Sequence, residues 1–324
     1  MRRVAITGGT GFVGRAVVHA LRDGGDAVVA LVRDAGRAAP LAGMGAELVV
    51  DDLSDLGRLT ERLRGVDGLI HAAGSYRIGI PAAERPGMWD ANVGTATRVL
   101  DAAAAAAVPR IVYVSTVNVF GNTGGQVVDE TYRRELGEGF LSWYDETKYR
   151  AHEVAEERTA GGAPIVIVMP SQVYGPADNT AVGEQLRLAN SGRLRYRAVD
   201  GVRLGFIHAD DLAAGIVAAL DRGRLGESYV LSGPAATLGE AIAIASRLGG
   251  HAPPRLRLPD GLVRAMAPFG RLIGQPNPAE IVSASAGVTY LASSGKARRE
   301  LGFMTRGIES GLRDTFGAGA NPAS

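Results

Sequence analysis

Tyr144 and Lys148 stand four residues apart in a stretch, 142–158, that reads as a helix. That spacing puts a phenol and an ammonium one above the other on one helix face. A lysine beside a tyrosine favours the phenolate, so Lys148 is expected to lower a phenol pKa that is about 10 when unperturbed. A phenol so tuned can give or take a hydroxyl proton near neutral pH. Ser115 and Thr116 close an apolar run and offer hydroxyls to hold a substrate oxygen. A Tyr-x-x-x-Lys pair alone is also what a solvated helix face looks like; it gains meaning beside a cofactor site.

Such a site is expected at the start of the chain. Val4 to Ile6 is a short apolar run that ends in a glycine cluster, with Gly8, Gly11 and Gly14 three apart. From Phe12 to Leu21 the pattern turns helical, with Val13, Val17, Ala20 and Leu21 on one stripe. Strand, glycine turn and helix together are the context of a dinucleotide fingerprint: glycines let backbone N–H groups approach a pyrophosphate, and the helix N-terminus supplies donors and positive potential. A Walker phosphate loop is excluded, because no Gly-Lys-Ser/Thr follows.

Further apolar runs occur at Ala27–Val32, Glu47–Val50, Gly68–His71, Arg110–Ser115 and Pro164–Met169, with helical stretches between them, among them 86–107. Alternation of this kind predicts an α/β fold with a Rossmann-type doubly wound parallel sheet. Ligands of such sheets bind beyond the carboxyl ends of the strands, where the glycine turn, Arg33, Asp52, Ala73 and Ser115-Thr116 all fall. After Pro176 the pattern loosens. Phe206–His208, helix 209–222 and Ser228–Ser232 follow, and from Thr237 onward only helices and one extended piece, 255–258, are expected. The expected division is a dinucleotide-binding domain over 1–175 with 201–235, a smaller and mainly helical substrate lobe over 176–200 with 236–316, and a flexible tail at 317–324.

The composition narrows the function classes. With 324 residues, 46% apolar, and a net charge of +1, nothing points to nucleic acid or an anionic membrane as partner. There is no cysteine, so disulfides, thiolate nucleophiles and cysteine-ligated metals are out. The five histidines have no metal spacing, and no metal is expected; His208 reads as a satisfied structural residue. No apolar run approaches the roughly 18 residues of a membrane span, and a strand begins almost at once, so a cytoplasmic enzyme acting on a small molecule is expected.

These motifs, taken together, resemble the extended short-chain dehydrogenase/reductase family, near its dihydroflavonol reductase and sugar epimerase/dehydratase branches. The resemblance rests on Thr-Gly-Gly-Thr-Gly-Phe-Val-Gly at 7–14, Asp51-Asp52-Leu53, His71-Ala72-Ala73-Gly74, Asn92-Val93-Gly94-Thr95 and the stretch from Tyr113 to Gly121. It continues through Tyr144 to Lys148, Pro170 to Pro176, Ile207 to Leu212 and Lys296 to Phe303. The resemblance implies Tyr144 as acid/base, Lys148 as its tuner and ribose ligand, Thr116 as the catalytic hydroxyl, Ser115 on the nicotinamide side, and Asn92 behind Lys148. It further implies a cofactor cleft lined by Gly8, Thr10, Gly11, Phe12, Val13, Gly14, Asp52, Leu53, Ala72, Ala73, Gly74, Pro170 and Val173. The resemblance also suggests a homodimer through helices near 90–107 and 142–158, with a monomer as the alternative.

NAD sites usually carry an acid at the end of the second strand, whereas Val32 and Arg33 stand there. A guanidinium suits a 2′-phosphate, so NADP is favoured, with NAD possible because Asp34 follows. Reductase or dehydrogenase chemistry is the first expectation and a nucleotide-sugar epimerase with recycled NAD the alternative. Dehydratases of the family carry Asp-Glu after the catalytic Thr, where Val117-Asn118 stand here. A non-catalytic cofactor sensor is remote, since such proteins lose the Tyr or Lys. Tyr76, Trp143, Ile78, Ile80, Met88, Trp89 and Phe140 suggest an apolar or aromatic substrate, with Asn118 nearby, or else simple loop packing beside the cleft. Arg203, with Arg187, Arg193, Arg195 and Arg197, offers cations for a diphosphate or only a solvated loop.

Overall fold

The computed structural model describes residues 1–266, 277, 280, 284–285 and 287–317. The expected tail from 318 to 324 lies outside the described residues. Seven strands form one sheet: β1 (Arg3–Thr7), β2 (Ala27–Val32), β3 (Glu47–Val50), β4 (Gly68–His71), β5 (Ile111–Val114), β6 (Ile165–Pro170) and β10 (Ser228–Leu231). Their order is β10-β6-β5-β4-β1-β2-β3, and every pairing is parallel. Chain direction across the sheet reverses between β1 and β4, the switch point at which such sheets open a crevice.

Strand residues alternate between two cores. Val4, Ile6, Val28, Ala30, Val32, Val112, Val166 and Val168 face one; Ala5, Val29, Leu31, Ile111, Tyr113, Ile165 and Ile167 face the other. Both faces are therefore covered, which is why the strands read as continuous apolar runs. Helix α1 (Phe12–Asp23) buries Gly14, Val17, Val18 and Leu21, a stripe at helical spacing, and packs with α8 (Ala209–Arg222) on the first face. Helices α3 (Leu56–Leu63), α5 (Thr95–Ala105) and α6 (Trp143–Ala160) cover the second. Each fully buried Val, Leu or Ile contributes about 1.5–3 kcal/mol of transfer free energy, so the two-sided pattern dominates the stability of the sheet.

The helix expected over 86–107 is not continuous. Arg85–Trp89 (α4) is joined to α5 by one π-helical turn, Asp90–Gly94, with Asn92 at its centre. Such turns are inserted where a helix must re-aim a side chain, often at functional sites.

A second sheet is built on β9 (Arg203–His208), which pairs with β7 (Gln172–Tyr174) and β13 (Thr289–Tyr290) in parallel and with β11 (Ala235–Thr237) antiparallel. A short parallel pair joins β8 (Arg197–Ala198) to β12 (Arg257–Leu258). Beyond Thr237 the expectation of helices and one extended piece therefore misses β13, a two-residue strand that carries no periodicity to detect.

Candidate active site

The glycine turn is held in place by the strand it faces. Gly8 has φ +75, and a Cβ there would lie 2.6 Å from Ala72 C and Ala73 N, so the turn passes directly against the chain leaving β4. A Cβ on Gly14 would lie 2.1 Å from Gly8 O, so α1 starts in contact with the turn. Thr7 Oγ1 and His71 Nδ1, 2.6 Å apart, tie the ends of β1 and β4 together. Gly11 caps α1 with extended backbone and no side-chain bond, and the first turn holds no acid. The N–H groups of Phe12, Val13 and Gly14 are thus left to an anion. Thr10 is exposed at the rim, and the Phe12 ring leans toward Gly175. Donors, missing Cβ atoms and positive potential fit a dinucleotide pyrophosphate.

Two more strand ends border this cradle. Beyond β2, Arg33 is exposed and makes no hydrogen bond or ion pair with a described residue, while Asp34 Oδ1 accepts from Arg37 N at 3.1 Å. Beyond β3, Leu53 is buried with φ +62, a conformation that costs a non-glycine residue about 1–2 kcal/mol. Asp51 holds it there: Oδ1 accepts from Leu53 N at 2.8 Å and Oδ2 from Arg58 Nε at 2.8 Å. Leu53 O also accepts from Arg98 Nε at 2.8 Å. Asp52 is exposed and accepts from Ser54 and Arg58. Pro170 is buried at the end of β6 and Val173 is half-buried on β7.

Tyr144 and Lys148 lie buried on the first two turns of α6. Ser142 begins that helix by accepting from Asp145 N at 3.0 Å, so the cap sets where the phenol stands. Lys148 Nζ donates to Val114 O at 3.3 Å and sits 5.5 Å from the Tyr113 ring, which ties the helix to the end of β5. Thr116 donates to Asn118 Oδ1 at 3.0 Å and accepts from Asn118 N at 3.2 Å; its hydroxyl also interacts with the Tyr144 phenol. The Tyr76 ring stands edge-on to Tyr144 at 4.7 Å.

The titration behaviour departs from the sequence expectation. Burial pushes the Tyr144 phenol up, Tyr76 adds to this, and Thr116 pulls the other way. Desolvation outweighs any help from Lys148, whose own pKa burial lowers to about 8. His71 is held neutral, lowered to about 3 by burial and by the nearby Lys148 charge. Burial thus keeps the Tyr144 phenol protonated.

Other expected residues are placed less simply. The Ser115 hydroxyl lies 2.9 Å from His152 Nδ1, so it is engaged with α6. Asn92 donates to Thr147 Oγ1 at 2.9 Å and to Ser75 O at 3.1 Å, and accepts from Ser75 N at 2.7 Å. It therefore pins the Ser75 segment to α6, and Thr147, the residue before Lys148, is its partner. A Cβ on Gly74 would meet Asn92 Oδ1 at 3.1 Å. Trp143 donates through Nε1 to Arg85 O at 3.1 Å and lies 5.9 Å from Trp89; its backbone N donates to Glu280 Oε1 at 2.6 Å. The Arg203 side chain is exposed at the start of β9 and makes no hydrogen bond with a described residue, though its charge helps hold the Glu240 carboxyl low. Arg187 pairs with Glu184 and Arg197 with Asp200. His208 Nδ1 accepts from Asp210 N at 3.3 Å, but its Nε2 is buried without a partner, so that histidine is only half satisfied. Arg134, Asp145 and Glu280 carry no motif or spacing signal: Arg134 lies in a loop without period, and Asp145 reads as an ordinary acid in the first turn of a helix.

Among the described residues no helix is long and apolar enough to cross a membrane, and no group of three or more His, Asp or Glu residues could hold a metal ion.

Residues 4–232 match the NAD dependent epimerase/dehydratase family. The chain is 34% identical over 326 residues to a Synechocystis protein named "Putative dihydroflavonol 4-reductase", covering 95% of this chain and 92% of that one. It is 31% identical to a 4-hydroxy-2-methyl-3-oxo-4-farnesyl-3,4-dihydroquinoline-1-oxide ketoreductase of Stigmatella aurantiaca, over 94% of this chain and 92% of that one. Among solved structures, that of gox2253 superposes with a TM-score of 0.82 at 31% identity, covering 97% of both chains. A parallel sheet with a glycine cradle at its switch point and a buried Tyr–Lys helix beside it agrees with these likenesses: the chain belongs to the NAD-dependent epimerase/dehydratase family of extended short-chain dehydrogenases/reductases.

Proposed function

We propose that the protein is an NAD(P)-dependent reductase that interconverts a carbonyl and an alcohol on an apolar substrate, with Tyr144 as proton donor and acceptor. The observation that carries this reading is the buried Tyr144 phenol, set against the Thr116 hydroxyl and the Tyr76 ring at the end of β5. A nicotinamide, when bound, supplies or takes the hydride. Gly8, Gly11, Gly14 and the open N-terminus of α1 would hold its pyrophosphate, and Lys148 its ribose. Thr116 would hold the substrate oxygen, and Tyr144 would pass it a proton. Burial keeps that phenol protonated, which suits the reducing direction.

The substrate side is aromatic and apolar: Tyr76, Ile78, Ile80, Met88 and Trp143 gather beside Tyr144. The likeness to a ketoreductase named for a farnesyl-bearing compound agrees with this preference. Of the five arginines that could hold a sugar-nucleotide diphosphate, Arg187 and Arg197 are tied in ion pairs, while Arg193, Arg195 and Arg203 make no ion pair with a described residue, so an epimerase is the second reading. NADP is the favoured cofactor, because Arg33 is unpaired and the Asp34 carboxylate is turned back onto its own loop.

Tyr144→Phe tests the reading. Turnover of hydrophobic 3-oxo esters with NADPH is expected to vanish, while NADPH affinity measured by fluorescence stays within about twofold, since the phenol contributes to the chemistry and not to the pyrophosphate cradle. A Phe variant with full activity would remove Tyr144 from the mechanism. NAD that stays bound through purification would favour the recycling epimerase instead.

A further inference from the structure

Among the described residues, Arg134 and Asp145 form the one ion pair with both side chains more than nine-tenths buried, at 5% and 1% exposure. Asp145 follows Tyr144 on α6. Its carboxylate takes Arg134 Nη1 at 3.0 Å on Oδ1 and Nη2 at 3.3 Å on Oδ2, and Oδ2 also accepts from Leu141 N at 2.9 Å. Arg134 Nη2 donates in addition to Gly139 O at 2.9 Å. Its guanidinium lies 4.6 Å from the Phe140 ring and 5.4 Å from the Tyr149 ring.

The same guanidinium also packs against the turn that follows Thr116. Gly121 ends the short turn that Thr116 caps, and a Cβ on Gly121 would sit 3.1 Å from Arg134 Cζ. One side chain thus spans the turn downstream of Thr116 and the first turn of α6. A cavity of about 130 Å³ adjoins it, lined by Phe120, Asn122, Tyr132 and Glu135 among others, so this spacing is not set by tight packing alone. Two buried charges are a costly way to join loops. A well-packed apolar pair is often as stable or more so, whereas loss of one partner alone leaves a buried charge uncompensated.

We infer that the Arg134–Asp145 pair is a clamp that holds Tyr144 against Thr116, with Arg134 as a positioning residue that touches neither substrate nor cofactor. The inference rests on the reading of Tyr144 as the acid/base. The groups that act on that phenol are Tyr76 from the segment after β4, Tyr113 on β5, Thr116 just beyond that strand, and Asp145 from its own helix, with Lys148 one turn on. Among them Asp145 pushes the phenol up, and Arg134 counters the Asp145 charge.

The test compares Arg134→Met, Arg134→Lys and Asp145→Asn, each checked by thermal melting, in the NADPH-driven reduction of a 2-alkyl-3-oxo ester. Arg134→Met is expected to lower kcat by about 10- to 100-fold with KM for NADPH within about threefold, as befits a displaced acid. Arg134→Lys restores part of it. Asp145→Asn, which leaves the Arg134 guanidinium buried without its partner, is expected to lower kcat in the same way with KM held. A fall in kcat at constant KM, with partial rescue by Lys, is not what general loosening produces. Folded variants with unchanged kcat, or with a loss confined to KM, would overturn the clamp. If Tyr144→Phe retained activity, the acid–base reading would fail instead, and the two failures are therefore separable.

Discussion

Gly14→Ala is the sharpest perturbation of the cofactor cradle. The added methyl would stand 2.1 Å from Gly8 O and 2.8 Å from Gly9 Cα, both backbone atoms that cannot swing aside. Ordinary carbon–oxygen contact requires roughly 1 Å more, so α1 and the turn must part by about that distance. Overpacking of this kind costs about 1–3 kcal/mol. A loss of about 3 kcal/mol lowers Tm by roughly 5–10 °C in a chain of this size. The larger effect falls on binding, because the N–H groups of the cradle move off the pyrophosphate. A hydrogen bond to a charged group contributes about 1.5–3 kcal/mol, so losing one weakens NADPH binding by about 10- to 150-fold. Gly25→Ala is the control. Gly25 has φ +81 with nothing within 4 Å of a Cβ, so it costs about 1–2 kcal/mol of backbone strain and leaves affinity alone. Thermal melts and fluorescence titrations of both variants decide the matter. Wild-type NADPH affinity in Gly14→Ala, or an equal loss in Gly25→Ala, would refute the contact as the basis of binding.

Two further outcomes are expected. Arg33→Ser should weaken NADPH by about tenfold or more, the worth of one charge-assisted bond, and leave NADH unchanged; equal affinities before and after would mean Arg33 is not a phosphate clamp. Lys148 is lowered from 10.5 to about 8 by burial, so the unfolded chain holds the proton more tightly. Its burial therefore costs about 3 kcal/mol at pH 7, a cost relieved as pH rises from about 8 to 10.5. Lys148→Met, which also forgoes the bond to Val114 O, should be about 2 kcal/mol more stable than wild type in urea at pH 7, with the difference gone by pH 10; a difference independent of pH would contradict the burial argument.

The parallel sheet was legible because both its faces are buried: Val4, Ala5 and Ile6 all had to be apolar, and the strands announce themselves as runs. The glycine turn was legible for a related reason, since only glycine tolerates the approach of Gly8 to Ala72 and of Gly14 to Gly8. What the sequence concealed depends on contacts between distant residues. Helix periodicity across 86–107 gave no sign that Asp90–Gly94 would open into a π turn, because the turn answers to Asn92 reaching both Ser75 and Thr147. The spacing of Tyr144 and Lys148 correctly put both on one face, yet suggested a lowered phenol pKa, because spacing carries the charge of a neighbour and not the depth of burial. Arg134 lies in a loop without period, ten residues before Tyr144, and nothing in its neighbours distinguishes it from a solvated arginine. Only the fold brings it under Asp145. The residues that contact a ligand tend to repeat as motifs, while those that hold them in place are drawn from whatever loop the fold delivers. A site read from motifs alone therefore names Tyr144 and misses Arg134.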